Sequence, residues 1–131
     1  SILDIMSLTD DALTEPASTD REALARLERF GGRKLLHEMI ALFLESAPER
    51  LAVARAGVEA GDANAVENAM HSLKSSSAQL GAIRLSRVCE QGERIAREGK
   101  VKGLAELLES SQSELRRVEA WLASVRVEGQ T

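Results

Sequence analysis

Apolar residues recur at spacings of three and four along most of the chain, and the pattern predicts helices. Leu24, Leu27 and Phe30 mark a short first helix. Thr19-Asp20-Arg21-Glu22 precedes it with capping-box spacing, Glu three residues after Thr. Gly31-Gly32 is expected to end it. From about Arg33, Leu35, Leu36, Met39, Ile40, Phe43 and Leu44 form a wide stripe. Pro48 interrupts it, and Ser46-Ala47-Pro48-Glu49 again has capping-box spacing, so a kink or restart is expected there. Leu51, Ala54 and Val58 carry the stripe on to Gly61. Asp62 is expected to cap a third helix that runs to about Leu80 or Gly81. A fourth runs from near Ile83 to Gly99, with Leu85, Val88, Cys89, Ile95 and Ala96 facing in. In the last, from Leu104 to Arg126, the positions Leu104, Leu108, Ser111, Leu115, Val118, Leu122 and Val125 alternate by four and three, a coiled-coil-like seam.

No strand and no repeat is read from this pattern. Short joints between long amphipathic helices favour antiparallel neighbours. The expected fold is all-α: an antiparallel four-helix bundle with an additional short N-terminal helix. The bundle is assigned to residues 19–127 and a short tail to 128–131. Residues 1–18 have scattered apolar positions broken by Thr, Asp, Pro and Ser, and read as a tail or linker. The chain starts at Ser rather than Met, which suggests a processed or excised piece.

Composition narrows the function classes. The chain has 131 residues, enough for one domain with one real core. Apolar residues make up 44% and aromatics only 2%, a balance that suits packed helices better than sheets. The net charge is −4 and there is no basic block, which argues against nucleic acid or an anionic membrane as partner. No apolar run is long enough to span a bilayer and no signal-peptide pattern is present. The single cysteine, Cys89, cannot form an internal disulfide, so a reducing cytoplasm is expected.

Candidate chemistry concentrates in Ala69–Ala82, A-M-H-S-L-K-S-S-S-A-Q-L-G-A. At about 100° per residue, Val66, Ala69, Leu73, Ser76, Ser77 and Leu80 fall on one side, with Met70 at its edge. His71 points away from them. Within about 60° of it lie Asn64, Glu67, Asn68, Lys74, Ser75 and Ala78. An exposed neutral imidazole is a good nucleophile near pH 7. It can take a phosphoryl group on a ring nitrogen and release it again. Lys74, one turn on, can pair with the phosphoryl charge. The small Ser75 and Ala78 leave room for another protein. There is no second base, Gly-rich phosphate loop or paired acidic metal site, so such a domain would carry a phosphoryl group without starting or finishing the transfer alone.

Blander readings stand beside this one. His71 could be an ordinary solvated histidine, and Lys74 plain surface charge. A metal site lacks a second ligand at suitable spacing. His37-Glu38 resembles the start of a sensor-kinase dimerisation motif, but position 42 is Leu where that motif has Pro; Ala41 excludes a zinc-protease pattern. His37 therefore reads as a surface or boundary residue. The serines lack a partner base and read as helix packing. Cys89 reads as buried and inert, and Trp121 as packing against the last seam.

The stretch resembles the core motif of histidine-containing phosphotransfer domains, His-x-x-Lys-Gly-Ser/Ala-Ser/Ala with a Gly ten residues after the His. His71, Lys74, Ser76, Ser77 and Gly81 match in place. Phe30-Gly31-Gly32, Phe43-Leu44, Pro48 and Cys89 through Glu93 extend the likeness from about Asp20 to Val125. Two positions depart from it: Ser75 stands where the family has Gly, and Gly92 where it usually has Leu. The resemblance implies that His71 is the phosphoacceptor and that Lys74 stabilises phosphohistidine. It implies exchange with aspartates on response-regulator receiver domains, an upstream hybrid sensor kinase, and Mg²⁺ supplied by the receiver rather than a cofactor of the chain's own. A monomeric phosphoryl carrier without autonomous turnover is expected. Asn64, Glu67, Asn68, Ser75 and Ala78 are the expected docking residues, with neighbours on the second helix. The alternative is a module of the same fold that binds receivers without carrying phosphate.

Overall fold

A computed structural model describes residues 19–130. The expected tail or linker at 1–18 lies outside the described residues. Within them the fold is four helices: α1 Arg21–Ala60, α2 Ala63–Gln79, α3 Ile83–Arg97 and α4 Leu104–Gln130. Each packs on its neighbours in sequence, and α4 closes the ring on α1, while diagonal pairs do not meet. Helix α4 continues past residue 127, where the bundle was expected to end.

The core is mostly aliphatic, with Phe43 a buried aromatic within it. Ile40, Leu51, Met70, Leu73, Leu80, Leu85, Leu104, Leu115 and Leu122 are fully buried along its length. Truncating one such side chain to Ala typically costs about 2–5 kcal/mol. The seam expected on α4 is the face that packs, from Leu104 to Leu122, with Val125 partly buried at its end. Ser111 fits inside it because its hydroxyl donates to Leu107 O at 2.9 Å. Trp121 packs against the core from its edge. On α3, Val88 and Ile95 are half-buried rather than core, and Gly92 and Glu93 take the buried positions instead.

The expected first helix and second helix are two arms of α1. Gly32 separates them with φ 82° and ψ 175°, a backbone that residues with a Cβ rarely adopt. The N-terminal arm buries Ala23 and Leu24, but Phe30 is 88% exposed. The whole bend from Glu28 to Lys34 stands clear of the bundle, so helical spacing alone did not place Phe30 in a core. The cap is Asp20 rather than Thr19: its carboxylate accepts from Glu22 N at 3.0 Å. Glu22 does not fold back as a capping box requires, because Arg29 holds its carboxylate. Pro48 neither ends nor restarts α1; Gly32 is its non-helical residue, and Ala47 and Leu51 stay in the core on either side of the proline.

Asp62 caps α2 as expected, accepting from Ala65 N at 3.1 Å. At the other end of α2, Asp20 N donates to Gly81 O at 2.8 Å, which fastens the N-terminal arm to the α2–α3 turn. A Cβ on Gly81 would run into the Asp20 backbone. The arm and the turn thus lock the C-terminal end of α2, the helix that carries His71.

Candidate functional site

His71 lies mid-way along α2, with Leu73 behind it fully buried and Met70 wholly inside the core rather than at its edge. Its side chain is 61% exposed. One ring nitrogen, Nδ1, is 2.9 Å from Glu93 Oε1. With Glu93 ionised, Nδ1 carries the proton and donates. Nε2 then presents its lone pair outward, on the side a partner can reach.

Glu93 is the residue the sequence reading did not single out for the site. It is buried on α3, its side chain 5% exposed, and it joins three groups. Oε1 accepts from His71 Nδ1 and from Arg97 Nη2, both at 2.9 Å; Oε2 pairs with Lys74 Nζ at 2.6 Å. Burial pushes its carboxyl up, but hydrogen bonds and charge from Lys74 and His71 outweigh that and leave it below its usual range. A buried charge is tolerated when it is paired and hydrogen-bonded. A signal for it was present: Leu85, Cys89, Gly92, Glu93 and Ala96 share one face of α3, so a carboxylate stands in an apolar row.

Lys74 was expected on the open face beside His71. It is instead only 28% exposed and committed to Glu93. Arg97 adds a further link, its Nε 3.0 Å from Glu67 Oε1, which draws Glu67 toward α3 and away from the open face. Its charge is held more firmly than usual, chiefly by the hydrogen bond to Glu67 and then by the two carboxylates. Ser86 Oγ donates to Lys74 O at 3.1 Å and pins α3 to α2 beside the network.

The open face lies on the other side of His71. A shallow groove is lined by His71, Ser72, Ser75, Ser76, Ala78 and Gln79. It continues through Ser72, Ser76 and Gln79 into a cleft against Met39, Leu42, Phe43, Ser46 and Arg50 of α1. A further groove, with Glu49, Val53 and Asn68, extends it toward the start of α2. Of the expected docking residues, Ser75, Ala78 and Asn68 line this surface; Asn64 is exposed but lines none of it, and Glu67 faces α3. Ser76, expected to face inward, is half-buried and borders the groove, while its hydroxyl donates to Ser72 O at 3.1 Å. Leu42 and Val53 are large apolar side chains left 64% and 52% exposed there.

The remaining candidates fall away from this site. His37 is half-buried on α1 and has no place in the network. Cys89 is buried, and desolvation pushes its thiol up to about 12, which leaves it unreactive at neutral pH. Among the described residues, no group of three or more His, Cys, Asp or Glu side chains is arranged to hold a metal ion, and no helix is long and apolar enough to cross a membrane.

The family profile described as the Hpt domain matches residues 38–126. The structure of histidine-containing phosphotransfer protein B from Pseudomonas aeruginosa PAO1 superposes with a TM-score of 0.81 at 27% identity, covering 87% of this chain and 98% of that one. The histidine-containing phosphotransfer protein ZmHP2 from maize has the same fold, with a TM-score of 0.76 at 20% identity over 99% of each chain. Comparison with curated proteins gives no match.

Proposed function

The chain belongs to the Hpt domain family, and from that premise we propose that it is a phosphorelay carrier whose phosphoacceptor is Nε2 of His71. The observation that carries this is the pairing of His71 Nδ1 with the buried Glu93 carboxylate. That contact favours the tautomer in which Nε2 is the nucleophile, on a ring that is 61% exposed and lines the groove.

The donor is an aspartyl phosphate on a receiver domain. The Nε2 lone pair attacks phosphorus, an N–P bond forms, and the P–O bond to the aspartate breaks to leave its carboxylate. The ring keeps its Nδ1 proton and becomes cationic, and Glu93 lies against that new charge at 2.9 Å. The reverse step returns the group to a receiver aspartate. Such transfer depends on positioning and on charge stabilisation between two proteins. This chain supplies the oriented imidazole, a lysine within reach, and a groove with an apolar border. Mg²⁺ belongs to the receiver in this scheme, as does the carboxylate that completes each transfer, so the chain has no turnover of its own. We place it as a monomer in the cytoplasm, downstream of a hybrid sensor kinase.

The test is transfer of label. The protein is mixed with a receiver phosphorylated on its aspartate, and acid-labile, alkali-stable label is followed. Wild type should acquire it and His71→Gln should not. Label that persists in His71→Gln, or none on wild type with several receivers, would sink the proposal; binding of receivers without label would point to a non-phosphorylated docking module instead.

A further inference from the structure

We propose that Arg97 is an exchange counter-ion: it holds the Glu93 carboxylate when Lys74 leaves to pair with a phosphoryl group on His71. The inference rests on the carrier reading of His71 and extends it to a positioning residue outside the family motif.

The starting arrangement poses a conflict. Lys74 Nζ is 2.6 Å from Glu93 Oε2. Lys74 stands one turn from His71 on α2, so a phosphoryl dianion on His71 would compete for the same ammonium. One lysine cannot keep full contact with both, and stripping a buried carboxylate of its partner is strongly unfavourable. Arg97 resolves the conflict. It lies one turn beyond Glu93 on α3, with Nη2 already 2.9 Å from Glu93 Oε1. When Lys74 departs, Glu93 keeps Arg97 beside the now cationic His71 ring, both on Oε1, and does not become an isolated buried charge.

Two features decide which cation moves. Arg97 is fastened between two carboxylates on two helices, Glu93 of α3 and Glu67 of α2. Its planar fork suits that double engagement, whereas Lys74 has a flexible four-carbon stem and a point charge. The count of charge agrees. With neutral His71, the formal charges of Glu67, Glu93, Lys74 and Arg97 cancel, and each anion has a cation. With the phosphoryl group in place, Lys74 serves the phosphate, the cationic His71 ring stays on Glu93, and Arg97 bridges Glu93 and Glu67. Across the groove, α1 presents Glu49 and Arg50 beyond Ser72, outside this circuit. Arg97 is 62% exposed and is not a packing residue, so its removal should leave the fold in place.

The experiment compares phosphohistidine lifetimes. Wild type, Arg97→Gln, Arg97→Lys, Lys74→Ala and the Arg97→Gln/Lys74→Ala pair are labelled with phosphoramidate, whose P–N bond breaks to release ammonia as the His71 N–P bond forms. Donor is removed and decay of alkali-stable label is followed, with the urea midpoint of each variant as a control. Lys74→Ala and Arg97→Gln should each shorten the half-life, the latter by about threefold to tenfold, within the range for coupled neighbours. Arg97→Lys, which keeps the charge, should recover most of it. In the Lys74→Ala background, Arg97→Gln should have little further effect, because the residue acts through Lys74. Unchanged decay in Arg97→Gln or in Lys74→Ala overturns the proposal. So does an equal fold-change with and without Lys74, since Arg97 would then touch the phosphoryl group itself. Failure of wild type to take label from phosphoramidate or from phosphorylated receivers overturns the carrier reading and this proposal together.

Discussion

His71 of α2 and Glu93 of α3 meet across the helix interface at 2.9 Å, an exposed ring tied to a buried carboxylate. The exposure gives a partner access. The buried carboxylate gives the ring one orientation and one tautomer. In the proposed mechanism neither residue alone makes the nucleophile; the pair does.

Glu93→Ala should therefore slow phosphoryl transfer to His71 by about tenfold or more, as loss of a partner that orients an imidazole does in metal sites. Glu93→Gln should fall between. Its amide oxygen can still accept from Nδ1, but its NH₂ group faces the Lys74 ammonium, donor against donor. Single-turnover transfer from a phosphorylated receiver measures both. Equal rates in wild type and Glu93→Ala would remove Glu93 from the mechanism.

Acid should loosen the same network. The Glu93 carboxyl is held below its usual 4.5 by Lys74 and His71 against the opposing effect of burial. A depressed folded value means that its contribution to stability is complete above the unfolded value and is lost as pH falls through the folded one. Urea midpoints taken from pH 6 downward should fall below about pH 4.5. Part of that drop should vanish in Glu93→Gln, which cannot titrate there. Parallel profiles for the two proteins would show that Glu93 does not contribute to the acid limb.

The helices and their inward faces were legible because a period of 3.6 projects directly onto burial: the α4 seam is buried from Leu104 through Leu122 as the spacing requires. The break at Gly32 was legible from two adjacent glycines. The exposure of Phe30 was not legible, because periodicity does not say where a helix leaves the core. His71 and Lys74 were legible as a motif within one helix. Glu93 was not, since it lies 22 residues away and its meaning depends on how α3 packs on α2. That same packing turns Lys74 inward and directs the open face toward α1, which no single helical wheel contains.

Gly92 shows how closely α3 approaches its neighbours. A Cβ there would lie 2.8 Å from Leu107 Cδ2 and 3.0 Å from Met70 Sδ. Helix propensity favours Ala over Gly by about 1 kcal/mol. Overpacking opposes it by about 1–3 kcal/mol, reduced where flexible side-chain ends can shift. Gly92→Ala should thus be nearly neutral. Gly92→Leu places three more carbons in the same space and should destabilise by at least about 1–3 kcal/mol. Chemical denaturation of the two variants checks this, and a Leu variant as stable as wild type would mean that Met70 and Leu107 repack freely.

The α1 border of the groove offers a test of docking that leaves the chemistry alone. Leu42 and Val53 are exposed apolar side chains on the same side of α1 as the cleft that leads to His71. Neither touches the Glu93 network. In water each exposes apolar area that a partner surface would cover, and central apolar contacts carry much of an interface's energy. Leu42→Glu should leave stability within about 0.5 kcal/mol, as surface changes usually do. It should weaken receiver binding by about tenfold, because a carboxylate would be desolvated where an isobutyl group had been buried. The rate of labelling by phosphoramidate, a donor too small to need the groove, should not change. Titration calorimetry with a receiver and a labelling time course separate the two effects. Undiminished receiver affinity in both Leu42→Glu and Val53→Glu would move the docking surface off α1.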